Sequence, residues 1–128
     1  MIVDSSALVA IVLQEGGFES LVAKLERAPS AGVGTPTLVE TGIVLSIRLS
    51  RDARPIVAEL VREFGMVEVP FGEEHAREAI RAYLRFGRGQ HPASLNYGDC
   101  MTYAVARVAD EPLLFTGTDF AATDLQVA

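Results

Sequence analysis

The sequence predicts an α/β fold, a three-layer α/β/α sandwich around a central, mostly parallel sheet of four to five strands. Three observations carry this expectation. Short apolar or β-branched runs alternate with helix-period patterns along the chain. The helical patterns between those runs are long enough to be crossovers between parallel strands. No repeat, linker or low-complexity segment interrupts the 128 residues, so residues 1–128 read as one domain.

Each element has its own justification. "MIVD" (1–4) is short and β-branched and reads as the first strand, and Ser5 or Ser6 caps the next helix, which carries Leu8, Ile11 and Val12. A helix over 18–27 sets Leu21, Val22 and Leu25 on one face and stops at Pro29. "SAGVG" (30–34) is a short strand. "PTLVETGIVLSIRLS" (36–50) opens with a proline in its first turn and continues as a helix apolar nearly all round, the pattern of burial on two sides. "DARPIVAELVREFG" (52–65) is a helix capped by Asp52 and ended near Gly65, and "MVEVP" (66–70) is a strand closed by its proline. "EEHAREAIRAYLRFG" (73–87) is a helix with Ala76, Ile80 and Tyr83 or Leu84 as its inner stripe. After the loop "RGQHPAS" (88–94), Asn96 and Tyr97 shape the turn into an apolar helix, "LNYGDCMTYAVARVAD" (95–110). "PLLFTGTDF" (112–120) runs from a strand into a turn, and "LQV" (125–127) adds a short edge strand.

Composition narrows the function. Seventeen acids against 11 bases leave a net charge of −6, which argues against a broad phosphate-tracking surface. An apolar fraction of 49% and a mean hydropathy of +0.26 point to surface that a partner covers. The apolar run Ala7–Leu13 is too short to span a membrane and no basic residue precedes it, so neither a signal peptide nor a span is expected. One unpaired cysteine, Cys100, suits a reducing cytoplasm and reads as a small core residue.

Four acids stand where a lone charge is costly. Asp4 ends the first strand and Asp119 follows the last by a short turn, which puts both at the sheet edge where ligands bind in parallel α/β folds. Glu40 and Asp99 each lie one turn into an apolar helix. Ser5, Ser6, Thr116 and Thr118 stand beside them. Oxygen donors suit Mg²⁺ or Mn²⁺, while His75 and His91 are isolated and offer no zinc site. Such acid and hydroxyl clusters serve metal-assisted phosphodiester hydrolysis. Simpler roles exist for each: Asp4 as a cap, Glu40 paired with Arg48, Asp99 as a helix-dipole partner and Asp119 as a turn residue. Arg77, Arg81, Arg85 and Arg88 recur at helical spacing, either as a solvated face paired with Glu73 and Glu78 or as a phosphate track for RNA.

"IVDSSALVA", "VETGIVL", "LNYGDCMTYAVA" and "LLFTGTDFAATDL", in this order and spacing, resemble the PIN-domain ribonucleases, most closely the VapC-type toxins of toxin–antitoxin pairs. The resemblance covers Met1 to Leu125. It implies a PIN-like fold and a Mg²⁺- or Mn²⁺-dependent endoribonuclease whose catalytic and metal-holding acids are Asp4, Glu40, Asp99 and Asp119, with Ser6, Thr116 and Asp124 in support. Relatives often carry a second acid or amide where this chain has Thr118, and Asp124 is a second candidate nearby. The resemblance further implies a homodimer and a VapB-like antitoxin whose tail sends an arginine to the carboxylates. A catalytically weak PIN-fold binding module is the alternative. Phosphoryl-transfer domains of similar architecture need a lysine near the phosphate, and the only lysine, Lys24, lies mid-helix on an early segment.

Overall fold

A computed structural model describes residues 1–128. Its strands are β1 (Ile2–Val3), β2 (Gly32–Gly34), β3 (Val67–Val69) and β4 (Leu113–Leu114). The helices are α1 (Ser5–Val12), α2 (Phe18–Arg27), α3 (Thr35–Leu49), α4 (Arg54–Glu63), α5 (Glu73–Phe86) and α6 (Tyr97–Ala109). All strand pairs are parallel, in the order β3-β2-β1-β4, with Ile2 opposite both Gly32 and Leu113. The chain winds outward from β1 to β3 and then returns to place β4 on the other side of β1. A crevice therefore opens beyond the carboxyl ends of β1 and β4, the point at which the strand order reverses.

Alternation within these short strands divides the core. Ile2 and Leu113 point to one face and pack with Ala79, Phe86, Tyr103 and Val105 of α5 and α6. Val3, Val33 and Leu114 point to the other and pack with Leu8, Leu21, Leu25 and Leu60 of α1, α2 and α4. That is the expected three-layer sandwich. Each fully buried Leu or Val contributes roughly 1.5–3 kcal/mol, and Val3, Val33, Leu113 and Leu114 are all at most 1% exposed. Gly34 lets α6 approach β2 closely, since a Cβ there would stand 2.8 Å from Val105 Cγ2.

Several expectations need correction. The fifth strand shrinks to a single bridge between Leu113 and Val127, made by Leu113 N–H to Gln126 O and Ala128 N–H to Leu113 O, both 2.9 Å. Asp4, not Ser5 or Ser6, is the N-cap of α1 and accepts from Ser6 N–H at 3.0 Å. Asp52 lies one residue before the N-cap of α4, Ala53, and accepts from Arg54 N–H and its guanidinium. Helix α3 is not buried on two sides: Thr37, Thr41 and Leu45 face inward while Val39, Ile43 and Ile47 are 62%, 56% and 71% exposed. In α5 the inner stripe is Ala79, Ala82 and Phe86, and Ile80, Tyr83 and Leu84 lie outside at 64%, 42% and 69%. Small alanines let α5 lie close against α6, so the larger apolar residues turn to solvent.

Candidate active site

The crevice beyond β1 and β4 is built from four chain segments. Asp4 is 4% exposed, and both its oxygens are engaged. Oδ2 accepts from Ser6 N–H and from the Ser6 hydroxyl at 2.6 Å, and Oδ1 accepts from the buried Thr102 hydroxyl at 2.8 Å. A carboxylate only accepts, so the Thr102 proton goes to Asp4 and the Thr37 hydroxyl, 3.0 Å away, donates to Thr102. The Ser6 hydroxyl in turn accepts from Thr116 N–H at 3.1 Å, which fixes the start of the loop after β4. Asp4 is therefore a cap, as one simple reading has it, but the cap accounts for only one of its oxygens.

Glu40 reaches from the second turn of α3 and accepts from the Ser5 hydroxyl. Its carboxylate fills the space that a Cβ on residue 98 would need, so a glycine precedes Asp99. Arg48 pairs with Glu15 at 3.8 Å and leaves Glu40 free of any cation. Asp99 opens α6 in a reciprocal cap, accepting from Asn96 N–H at 3.0 Å while Asn96 Oδ1 accepts from Asp99 N–H at 2.8 Å. Partial burial, followed by the negative fields of Asp4, Asp119 and Glu40, pushes the Asp99 carboxyl up to about 6 against the Asn96 hydrogen bond. Asp119 is exposed at the entry to a short 3₁₀ turn, Phe120–Ala122. Asp4, Glu40 and Asp119 are thus all felt at the Asp99 carboxyl, although Asp4, Glu40 and Asp99 are each turned to their own hydrogen-bond partners and no three of the four converge closely enough to hold an ion as they stand.

The remaining candidates divide. Ser6 belongs to the cluster through its hydroxyl, Thr116 through its backbone N–H. Asp124 does not join it. That carboxylate accepts from the Tyr103 hydroxyl at 2.7 Å and from Arg85 at 2.9 Å, which holds it against α5 and α6. Of the arginine line, Arg77 pairs with Glu73, Arg81 with Glu78 and Arg85 with Asp124, while Arg88 makes no ion pair. His75, in the first turn of α5, accepts from Gly72 N–H at the helix start, and His91 accepts from Ala93 N–H within its loop. Cys100 is buried, and burial followed by the Asp99 field pushes its thiol up to about 11, so it is an inert core group. Sequence reasoning missed Thr37 and Thr102. Their signal was a hydroxyl three residues from each helix acid, inside an otherwise apolar run.

Two apolar grooves lie on the helices, and neither is lined by any of the four acids. One, of about 690 Å³, runs along α3 and α4 past Val39, Ile43 and Ile47. The other, of about 410 Å³, lies between α5 and α6 and includes Ile80, Tyr83, Leu84 and Tyr97. No helix is long and apolar enough to cross a membrane.

Comparison with known proteins agrees with this fold. The PIN domain model matches residues 1–125. Ribonuclease VapC36 of Mycobacterium tuberculosis is 47% identical over 127 residues, covering 98% of this chain and 91% of the relative. Ribonuclease VapC of Mycolicibacterium smegmatis is 37% identical over 125 residues, covering 98% and 97%. Among solved structures, Mycobacterium tuberculosis VapC20, described as a sarcin-ricin loop cleaving toxin, superposes with a TM-score of 0.80 at 17% identity over 99% of this chain and 97% of that one. A toxin–antitoxin complex from Klebsiella pneumoniae gives a TM-score of 0.72 at 16% identity over 99% and 95%. By its fold and its near full-length identity to these relatives, the chain belongs to the PIN-domain family and, within it, to the VapC ribonucleases.

Proposed function

We propose that residues 1–128 form one Mg²⁺- or Mn²⁺-dependent endoribonuclease domain, the toxin of a VapBC-type pair that inhibits growth by cleaving RNA. The observation that carries this is the crevice beyond β1 and β4, where the partly buried Asp99 carboxyl lies within the fields of Asp4, Glu40 and Asp119 from three other segments. Such repulsion inside a partly buried crevice is relieved by a divalent cation, and an all-oxygen donor set fits Mg²⁺ or Mn²⁺ better than zinc. Asp4, Glu40, Asp99 and Asp119 would hold the ion. When bound it lowers the pKa of a water and offsets charge at the leaving oxygen. The chain's own residues prepare that chemistry. Thr102 and Ser6 orient Asp4, Ser5 orients Glu40, and Asn96 orients Asp99. The exposed arginines Arg77, Arg81, Arg85 and Arg88 are candidates for RNA phosphates, because surface ion pairs such as Arg77–Glu73 are worth little and yield readily to a competing anion.

The partners are RNA, a VapB-like antitoxin and a second copy of the chain, and the setting is the cytoplasm. The two apolar grooves, along α3 and α4 and between α5 and α6, are the surfaces that such protein partners cover. An antitoxin arginine would bond two carboxylate oxygens at once and compete with the metal. The test is cleavage of a structured RNA by the purified chain with Mg²⁺ or Mn²⁺. Asp99→Asn should lower the rate by at least about a hundredfold. Undiminished cleavage in EDTA would refute the metal mechanism. RNA binding without cleavage would favour the alternative, a catalytically weak binding module.

A further inference from the structure

Asp119 sits in a loop that little else holds. Between Leu114 and Phe120 every residue but Phe115 is exposed, Gly117 takes φ +83°, and the hydrogen bonds are Thr116 N–H to Ser6 Oγ and Ala121 N–H to Thr118 O at 3.2 Å. Beyond Asp119 the chain is anchored. Phe120 is buried edge-on to Phe115 at 5.3 Å, and the Thr123 hydroxyl bonds Phe120 O at 2.7 Å. Then comes Asp124, whose two oxygens bond Tyr103 of α6 and Arg85 of α5. Tyr103 lies one helical turn beyond Asp99. Its ring is 4% exposed and packs 5.8 Å from Phe86, so its hydroxyl is a fixed donor. Hydrogen bonds to a carboxylate are about twice as strong as neutral ones.

We infer that Asp124 is a positioning residue: through Tyr103 and Arg85 it ties the segment carrying Asp119 to the helix carrying Asp99, and so sets the distance between two acids of the crevice. The inference rests on the reading that Asp99 and Asp119 serve one metal site. Asp124 touches neither the other acids nor the reacting groups. Its effect passes through the short 3₁₀ turn Phe120–Ala122, closed at its C-terminal end by the Thr123 N–H and hydroxyl on Phe120 O and by Leu125 N–H on the Thr123 hydroxyl, which is stiff enough to carry a constraint over five residues.

The experiment uses Tyr103→Phe, which removes the hydroxyl and keeps the ring in the core, and Asp124→Asn, which keeps the shape and removes the charge. Hydrogen exchange of the Ala121 and Thr123 amides, which bond Thr118 O and Phe120 O, should accelerate about tenfold in metal-free Tyr103→Phe, with the amides of β1 and α1 unchanged. The Mn²⁺ concentration at half-maximal thermal shift should rise about three- to tenfold in both variants. In an Asp119→Asn background, Tyr103→Phe should add nothing to that rise, because the positioned group is gone. Unchanged exchange, or an Mn²⁺ effect as large with Asp119→Asn as without it, would overturn the inference and leave the metal site intact. Asp119→Asn binding Mn²⁺ as well as the parent would overturn the reading of Asp119 itself, and the inference with it.

Discussion

Replacing Asp99 by Asn is expected to stabilise the metal-free protein near pH 8 while it removes ribonuclease activity. The magnitude follows from the crevice. The Asp99 carboxyl stands at about 6 in the folded state against an ordinary 3.8. Between those values the folded chain binds more protons than the unfolded one, so stability falls as pH rises from about 4 to about 6 and stays low above. Each whole pH step is about 1.4 kcal/mol, which sets a ceiling of about 3 kcal/mol. Asp99 is partly exposed, and salt screens its neighbours, so roughly 1–2 kcal/mol is the expected cost of its charge. Asparagine carries no charge and keeps an oxygen for Asn96 N–H, so the cap survives. For a domain of this size the gain is a rise in Tm of roughly 3–8 °C. The assay is urea or thermal unfolding in EDTA at pH 4.5, 6 and 8, with parent and variant side by side. Roughly a third of the difference should be present at pH 4.5 and nearly all of it by pH 8. A variant less stable than the parent at pH 8, or a difference independent of pH, would refute the electrostatic account of the crevice.

Other perturbations probe the supports. Thr102→Val leaves the Thr37 hydroxyl and one Asp4 oxygen without their buried partner, and should cost about 1–3 kcal/mol in denaturant unfolding together with activity. Gly98→Ala puts a methyl where the Glu40 carboxylate lies; since that carboxylate can swing away and Ala favours helix by up to about 1 kcal/mol, cleavage should fall with stability unchanged or raised. Ile43→Glu, at an exposed α3 position, should change stability by no more than about 0.5 kcal/mol yet disrupt self-association or antitoxin capture in light scattering and pull-down.

Period and punctuation made much of the fold legible before any tertiary contact is known. The helix over residues 18–27 needs only its Leu21–Leu25 stripe and Pro29, and its observed bounds, Phe18–Arg27, match the expectation. The strand-end position of Asp4 and the parallel order follow from apolar runs separated by crossovers too long for hairpins. Glu40 and Asp99 also stand out in the sequence, because a carboxylate inside an apolar helix run is conspicuous before any contact is known. Where patterns involve two competing faces, the sequence is silent. Helix α5 carries both an alanine stripe and an Ile80–Leu84 stripe, and hydropathy favours the larger residues. Burial went to the alanines because α6 lies close beside α5, a distance decided only when the helices pack. Helix α3 is apolar on every side, so composition could not say that Val39, Ile43 and Ile47 would be left facing solvent. Nor could spacing separate Asp119 from Asp124, five residues apart in one turn-rich segment. Tertiary structure separates them through a single fixed hydroxyl: Tyr103, held in the core from a different helix, takes Asp124 as its acceptor, while Asp119 stays exposed and acts on the Asp99 carboxyl.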